Sequence, residues 1–157
     1  MTWFVENVAD LPWLAAEGMG SACVFEDEQR QFDQIGYTLA VLQPGEAGGR
    51  YHRELDNQED FLVLHGECIA LVENEERRLR RWDFLHCPPG TEHAFVGAGD
   101  GPCVLFCCGA RNSRRIVYPR NELALKHGIG VEVETTEPKE AYADLPRFAP
   151  ATPLPLP

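Results

Sequence analysis

From residue 35 to residue 108 the apolar positions come in short runs, cut by glycine, proline and acidic turns, and no helical period runs through them. Residues 35–43 (Ile-Gly-Tyr-Thr-Leu-Ala-Val-Leu-Gln) are rich in strand formers and stop at Pro44-Gly45. Residues 61–64 form a short apolar strand closed by Gly66, and residues 68–72 follow, leading into a polar turn at 73–76. Between Arg78 and Leu85 charge alternates with Leu79, Trp82 and Phe84. Pro88-Pro89-Gly90 forces another turn. Residues 92–96 and 103–108 then give two more strands around the glycine-rich segment 97–101. Short strand, turn, short strand predicts an antiparallel sandwich or barrel.

The flanks differ. Residues 1–20 read as an arm with one helical turn at 10–13, Asp10 capping it and Pro12 sitting early. After Cys108 the chain predicts one short helix over 122–127: Asn121 as cap, Glu122 in the first turn, His127 in the last, Gly128 as the stop. Residues 150–157 hold four prolines and read as an extended surface tail. The expected division is an arm and first strand over 1–34, a β-barrel over 35–108, and a helix with a proline-rich tail over 109–157.

The 157 residues suit one domain large enough to bury a core without staples. A formal net charge of −11 speaks against a nucleic-acid partner and against an anionic membrane surface. The apolar stretches are far shorter than a membrane span. The first basic residue is Arg30, so no basic leader region precedes the apolar start. The six cysteines include no C-x-x-C pair, and Cys107 and Cys108 are adjacent. Reduced, mostly buried thiols in a cytoplasmic protein are the expectation.

The candidate chemistry lies in two clusters. In Tyr51-His52-Arg53-Glu54, the side chains of His52 and Glu54 share a strand face, and a turn at Asp56-Asn57 allows a hairpin to bring Glu59 beside them. In Pro88-Pro89-Gly90-Thr91-Glu92-His93, a proline-glycine turn precedes a strand opening with His93. A barrel that closes with this face inward gathers His52, Glu54, Glu59 and His93. Two buried carboxylates need a compensating cation, and a divalent metal is the simplest. Glu92 belongs to the opposite face. His65 and His86 read as strand residues near the barrel ends, and Phe61 and Phe95 share the parity of the ligands. The run from Arg77 to Arg81 reads as a hairpin with local ion pairs and a protected sheet edge.

These two stretches resemble the two signature motifs of the cupin superfamily. His52, Glu54 in the place of a second histidine, Glu59 and Gly66 follow the first motif, and Pro88, Gly90 and His93 follow the second at matching spacing. The departures are Glu46 and Trp82 at the opening glycines, Gly97 at the closing asparagine, and His-x-Glu for His-x-His. The resemblance covers roughly residues 36–108. It implies an all-β fold, a double-stranded β-helix (the cupin jelly-roll barrel), and often a dimer. It also implies a divalent transition metal (Zn, Fe, Mn or Ni) held by His52, Glu54, Glu59 and His93.

Cupins host many activities, so fold alone does not choose among them. The expectation is a metal-dependent enzyme, dioxygenase or lyase/isomerase, on a small polar metabolite, with a non-catalytic small-ligand binder or sensor as the alternative. A Schiff-base lysine is excluded over 36–108, which contains no lysine, and this absence also counts against phosphosugars, only Arg50 lying near the ligand strand. Neither serine adjoins a histidine, which counts against a serine nucleophile. A homodimer is expected from Trp3, Phe4, Trp13, Tyr142 and Phe148 in the terminal segments.

Overall fold

Each apolar run becomes a strand, and every strand pairs antiparallel. A computed structural model of the chain describes residues 3–28 and 30–152. In chain order these form β1 (Trp13–Ala15), β2 (Ser21–Val24), β3 (Ile35–Leu42), β4 (Arg53–Glu54), β5 (Glu59–His65) and β6 (Glu67–Val72). Then follow β7 (Glu75–Arg80), β8 (Phe84–Cys87), β9 (His93–Ala98), β10 (Cys103–Ala110), β11 (Ile116–Val117), α1 (Glu122–Lys126), α2 (Pro138–Ala141) and β12 (Ala149–Ala151). A seven-stranded sheet runs β12-β1-β2-β3-β10-β5-β8. A three-stranded sheet, β7-β6-β9, and a two-stranded ribbon, β11-β4, complete an all-β jelly roll with two short helices.

Strand parity sets the core. Leu42 on β3, Phe61 and Val63 on β5, Cys68 and Ala70 on β6, Phe95 on β9 and Leu105 on β10 form one buried cluster inside the barrel. The alternate residues are also covered. Leu39, Val41 and Val104 pack under Leu11 and Trp13 of the N-terminal segment. Leu71, Ala94 and Val96 pack under Ala124 and Ile129 of the C-terminal segment. A strand buried on both faces needs apolar residues throughout, which explains the runs Ala94–Val96 of β9 and Cys103–Leu105 of β10.

Three local expectations are corrected. Residues 10–13 make no helical turn: the turn comes earlier, where Asp10 N donates to Asn7 O at 2.9 Å, and Trp13 enters β1. Pairing with β2 and burial of its indole outweigh the local capping signal. The alternating stretch from Arg78 to Leu85 breaks at Trp82 (φ +74°), so β7 pairs with β6 and β8 with β5. Asp83 Oδ2 accepts from Arg80 N at 2.9 Å, and Trp82 N donates to Val63 O at 2.8 Å, which fixes that turn. In the proline-rich end, Ala149–Ala151 is a strand on the outer edge of the large sheet. Pro150 lacks an N–H and is tolerated at such an edge. Residues 153–157 of the expected tail lie outside the described residues.

Other expectations hold. Asn121 Oδ1 accepts from Ala124 N at 3.0 Å and caps α1, with Gly128 just beyond its end. The basic run of β7 forms an edge strand with Arg77–Glu75 and Arg78–Glu67 ion pairs. Gly97, where the resemblance calls for asparagine, abuts the chain so closely that an added Cβ would lie 2.1 Å from Gln43 O. No side chain fits there. Among the described residues, no helix is long and apolar enough to cross a membrane.

Candidate metal centre

Backbone pairing brings the two histidines together. His52 and His93 form an isolated antiparallel bridge, His93 N donating to His52 O at 2.8 Å and His52 N to His93 O at 3.1 Å. Their rings lie 4.7 Å apart, centroid to centroid. Glu59 opens β5, opposite Gly109 of β10 and Cys87 of β8. Its Oε2 is 3.2 Å from His93 Nε2 and 3.6 Å from His52 Nε2. One donor atom from each of His52, Glu59 and His93 falls within 4.8 Å of the other two.

The protons are placed by the backbone. His52 Nδ1 is 2.8 Å from Arg50 O, and His93 Nδ1 is 3.1 Å from Thr91 O. A carbonyl only accepts, so each Nδ1 carries its hydrogen and each Nε2 faces Glu59. In a neutral ring that Nε2 is a lone pair facing a carboxylate. Glu59 Oε2 and His93 Nε2 are both buried and have no hydrogen-bond partner among the described residues. Something positive belongs between them, a proton or a metal ion, and two imidazole nitrogens with one carboxylate oxygen suit a divalent transition metal.

The local electrostatics agree. Burial raises the cost of the Glu59 anion, but the nearby His52 and His93 rings outweigh it and hold its carboxyl well below the usual range. Burial likewise disfavours a charged His52, yet the Glu59 carboxylate draws its pKa above the ordinary value. The site thus attracts cations.

Two cavities meet at this point. An inner one of about 200 Å³ lies inside the barrel, with His52, Glu59 and His93 beside Phe61, Phe95 and Leu42. Phe61 packs 5.0 Å from the His93 ring and 4.5 Å from Phe95, as its strand parity anticipated. An outer cavity of about 530 Å³ is lined by Glu54, Asn57, Glu59 and Gly109. A Cβ at Gly109 would lie 3.5 Å from Glu59 Cγ, so glycine leaves that carboxylate open to the outer cavity. Cys107 borders both cavities, and burial pushes its thiol well up, with the Glu59 charge adding to the effect.

Of the four expected ligands the structure therefore gathers three. Glu54 stands apart from that set: its carboxylate accepts from Asn57 Nδ2, and it lines the outer cavity. Glu92 points away, paired with Arg53, and the exposed His86 lies 2.6 Å from Asp60 through Nδ1 and Oδ1. Arg50, two residues before His52, is 4% exposed and fully engaged with the C-terminal segment, and Arg53 on β4 is taken up by Glu92. The sequence reading missed Asn57, taken only as a turn residue, and Tyr118, whose ring lies 5.9 Å from His52. Neither follows a motif, and only long-range folding of residues 109–144 brings partners to them. All six cysteines are free thiols.

The comparisons agree with this architecture. The family model that matches describes a cupin domain and spans residues 38–109. A sugar phosphate isomerase from a cupin superfamily of Silicibacter pomeroyi is 22% identical, with a TM-score of 0.53 over 62% of this chain and 68% of that one. Streptomyces Pac13, solved with uridine, is 15% identical, with a TM-score of 0.55 over 70% of this chain and 83% of that one. Another structure of Pac13, described as a nucleoside dehydratase, is 14% identical, with a TM-score of 0.55 over 69% and 82%. An uncharacterized protein of Methanocaldococcus jannaschii is 26% identical over 57 residues, 36% of this chain and 46% of that relative's length. At these identities the solved structures establish the shared fold.

Proposed function

Residues 38–109 form a cupin domain, and from that premise we propose that this chain is a metal-dependent enzyme of the lyase or isomerase type acting on a small polar metabolite. The observation that carries the proposal is the facing pair of buried, unpartnered atoms, Glu59 Oε2 and His93 Nε2, 3.2 Å apart. His52, Glu59 and His93 would hold the ion, and Zn, Fe, Mn and Ni all accept such donors. When bound, a divalent cation supplies Lewis acidity toward a substrate oxygen. The Nδ1 hydrogen bonds of His52 and His93 hold both rings in place. Phe61 and Phe95 keep water from the inner wall. Glu54, on the wall of the outer cavity, is placed to take or return a proton.

Likeness to proteins described as a sugar phosphate isomerase and a nucleoside dehydratase supports testing non-redox chemistry first. Two other readings each have an observation behind them. The two-histidine, one-carboxylate set favours a dioxygenase. The inner cavity beside the three donors favours a binder whose metal anchors a ligand.

Elemental analysis of protein purified without added metal, followed by proton NMR of sugars, sugar phosphates, nucleosides and hydroxy acids in deuterated water, tests the proposal. One bound metal per chain and solvent deuterium entering one substrate class support it. A protein that retains no metal after soaking in Zn, Fe(II), Mn or Ni salts overturns it. Oxygen uptake by the iron form selects the dioxygenase, and metal retention without either reaction selects the binder. A Glu54→Gln variant that keeps metal but loses turnover assigns Glu54 to proton transfer, whereas loss of metal returns it to the ligand set.

The proposal includes a cytoplasmic homodimer. Trp3 is exposed and Phe148 partly so, while Trp13 is buried within its own chain and has no part in an interface. Light scattering that gives the mass of one chain at micromolar concentration removes the dimer.

A further inference from the structure

Three arginines, Arg111, Arg114 and Arg115, lie in the loop between β10 and β11, and the first two line the outer cavity. Arg111 donates to Glu26 at 2.8 Å, and Arg115 lies 3.1 Å from Asp56. Arg114 is exposed, lines the outer cavity, and has no ion pair or hydrogen bond among the described residues. The loop that carries it is fixed. Asn57, 4% exposed, accepts from the amides of Asn112 and Ser113 at 2.8 and 3.2 Å, and donates to Ser113 O at 2.8 Å.

We infer that Arg114 is the specificity-determining residue of the site and that the ligand carries an oxyanion, a carboxylate or a phosphate, at the end remote from His52, Glu59 and His93. The inference rests on the metal-site reading and names its ligand class. With a divalent cation on the three donors, its two positive charges are matched by Glu59 and Glu54. The Arg111 charge is matched by Glu26. Arg114 is then the uncompensated charge of the cavity, in a chain of net charge −11. A ligand with one anionic end neutralises it, and a guanidinium on a pinned loop suits the two oxygens of such a group. Asp27 and Asp33 line an adjoining cleft that Arg114 also borders, and Asp27 is paired there with Arg30. The volume of about 530 Å³ is sufficient for a metabolite-sized ligand.

The test titrates the zinc-loaded protein, at fixed ionic strength, with glycolate, glycerol phosphate and the neutral isostere glycolamide, reading amide NMR shifts near Gly109 and Ser113. The anions should bind roughly tenfold to hundredfold tighter than glycolamide. Arg114→Gln should erase that preference and leave zinc stoichiometry unchanged, while Arg114→Lys keeps part of it. The ratio between the two anions distinguishes carboxylate from phosphate. Equal affinity for glycolate and glycolamide in the zinc form, or a preference that survives Arg114→Gln, overturns the inference and leaves the metal reading standing. A protein that retains no zinc overturns both.

Discussion

Arg50 orients His52 with one end and anchors the C-terminal segment with the other. Its carbonyl oxygen lies 2.8 Å from His52 Nδ1. Its guanidinium donates to the carbonyls of Ala141 and Gly130 at 2.9 and 2.8 Å and to the Asp144 carboxylate, and its amide donates to Tyr142 Oη at 3.0 Å. The segment that covers the small sheet is thus tied to the residue that fixes an imidazole of the candidate metal site.

Arg50→Ala should therefore weaken both fold and site. Two buried carbonyls lose their charged donor, and the expected loss is about 2–3 kcal/mol, with nothing counted for Asp144, which is largely exposed. Urea denaturation of the metal-free protein measures it. Metal affinity should fall in the same variant, while Arg50→Lys recovers only part, since an ammonium cannot reach both sides of the guanidinium fork. Full metal affinity in Arg50→Ala would separate the two roles.

Removing the metal should invert the pH dependence of stability. In the metal-free protein Glu59 draws His52 above its ordinary value of 6.5. A raised folded-state pKa stabilises fully below the unfolded value, and the contribution disappears as pH rises through the folded one. Melting temperature with a chelator present should fall as pH climbs from about 6.5. With zinc it should rise over the same interval, because neutral Nε2 atoms are what the ion needs. Parallel melting curves with and without zinc would contradict the centre.

Gly97→Asn, which restores the residue the cupin resemblance calls for, should destabilise. The new Cβ would meet Gln43 O at 2.1 Å, and overpacking of this kind costs about 1–3 kcal/mol. Thermal unfolding reads the effect. An unchanged midpoint would mean that the two backbones separate freely.

Asn57→Ala should loosen the loop carrying Arg114 while sparing the three donors. The amides of Asn112 and Ser113 lose their acceptor and Glu54 loses its partner, a cost of about 1–3 kcal/mol. Hydrogen exchange should accelerate at Asn112 and Ser113, with zinc stoichiometry unchanged. Protection equal to that of the unaltered protein would mean that the loop is held by other contacts.

The sheet strands and three donors were legible because each obeys a local rule. Runs of strand formers between glycine and proline turns placed β3, β5, β6, β9 and β10, and fixed spacings placed His52, Glu59 and His93. What escaped depends on partners distant in the chain. Trp82 continues the alternation of its neighbours yet takes a positive φ, because the turn bonds to Val63. Leu14 of β1 finds its strand partner at Pro150, and Arg50 its acceptors between 130 and 144. Glu54 shares the ligand spacing, and its carboxylate accepts from Asn57, which is itself held by the distant amides of Asn112 and Ser113. Spacing reports which side chains share a face and says nothing of the partners that long-range folding brings.

The pairing of β12 with β1 places Trp13–Ala15 and Ala149–Ala151 together on one margin of the large sheet. Without residues 149–151, β1 would present its free amide and carbonyl groups to any passing strand, a template for aggregation.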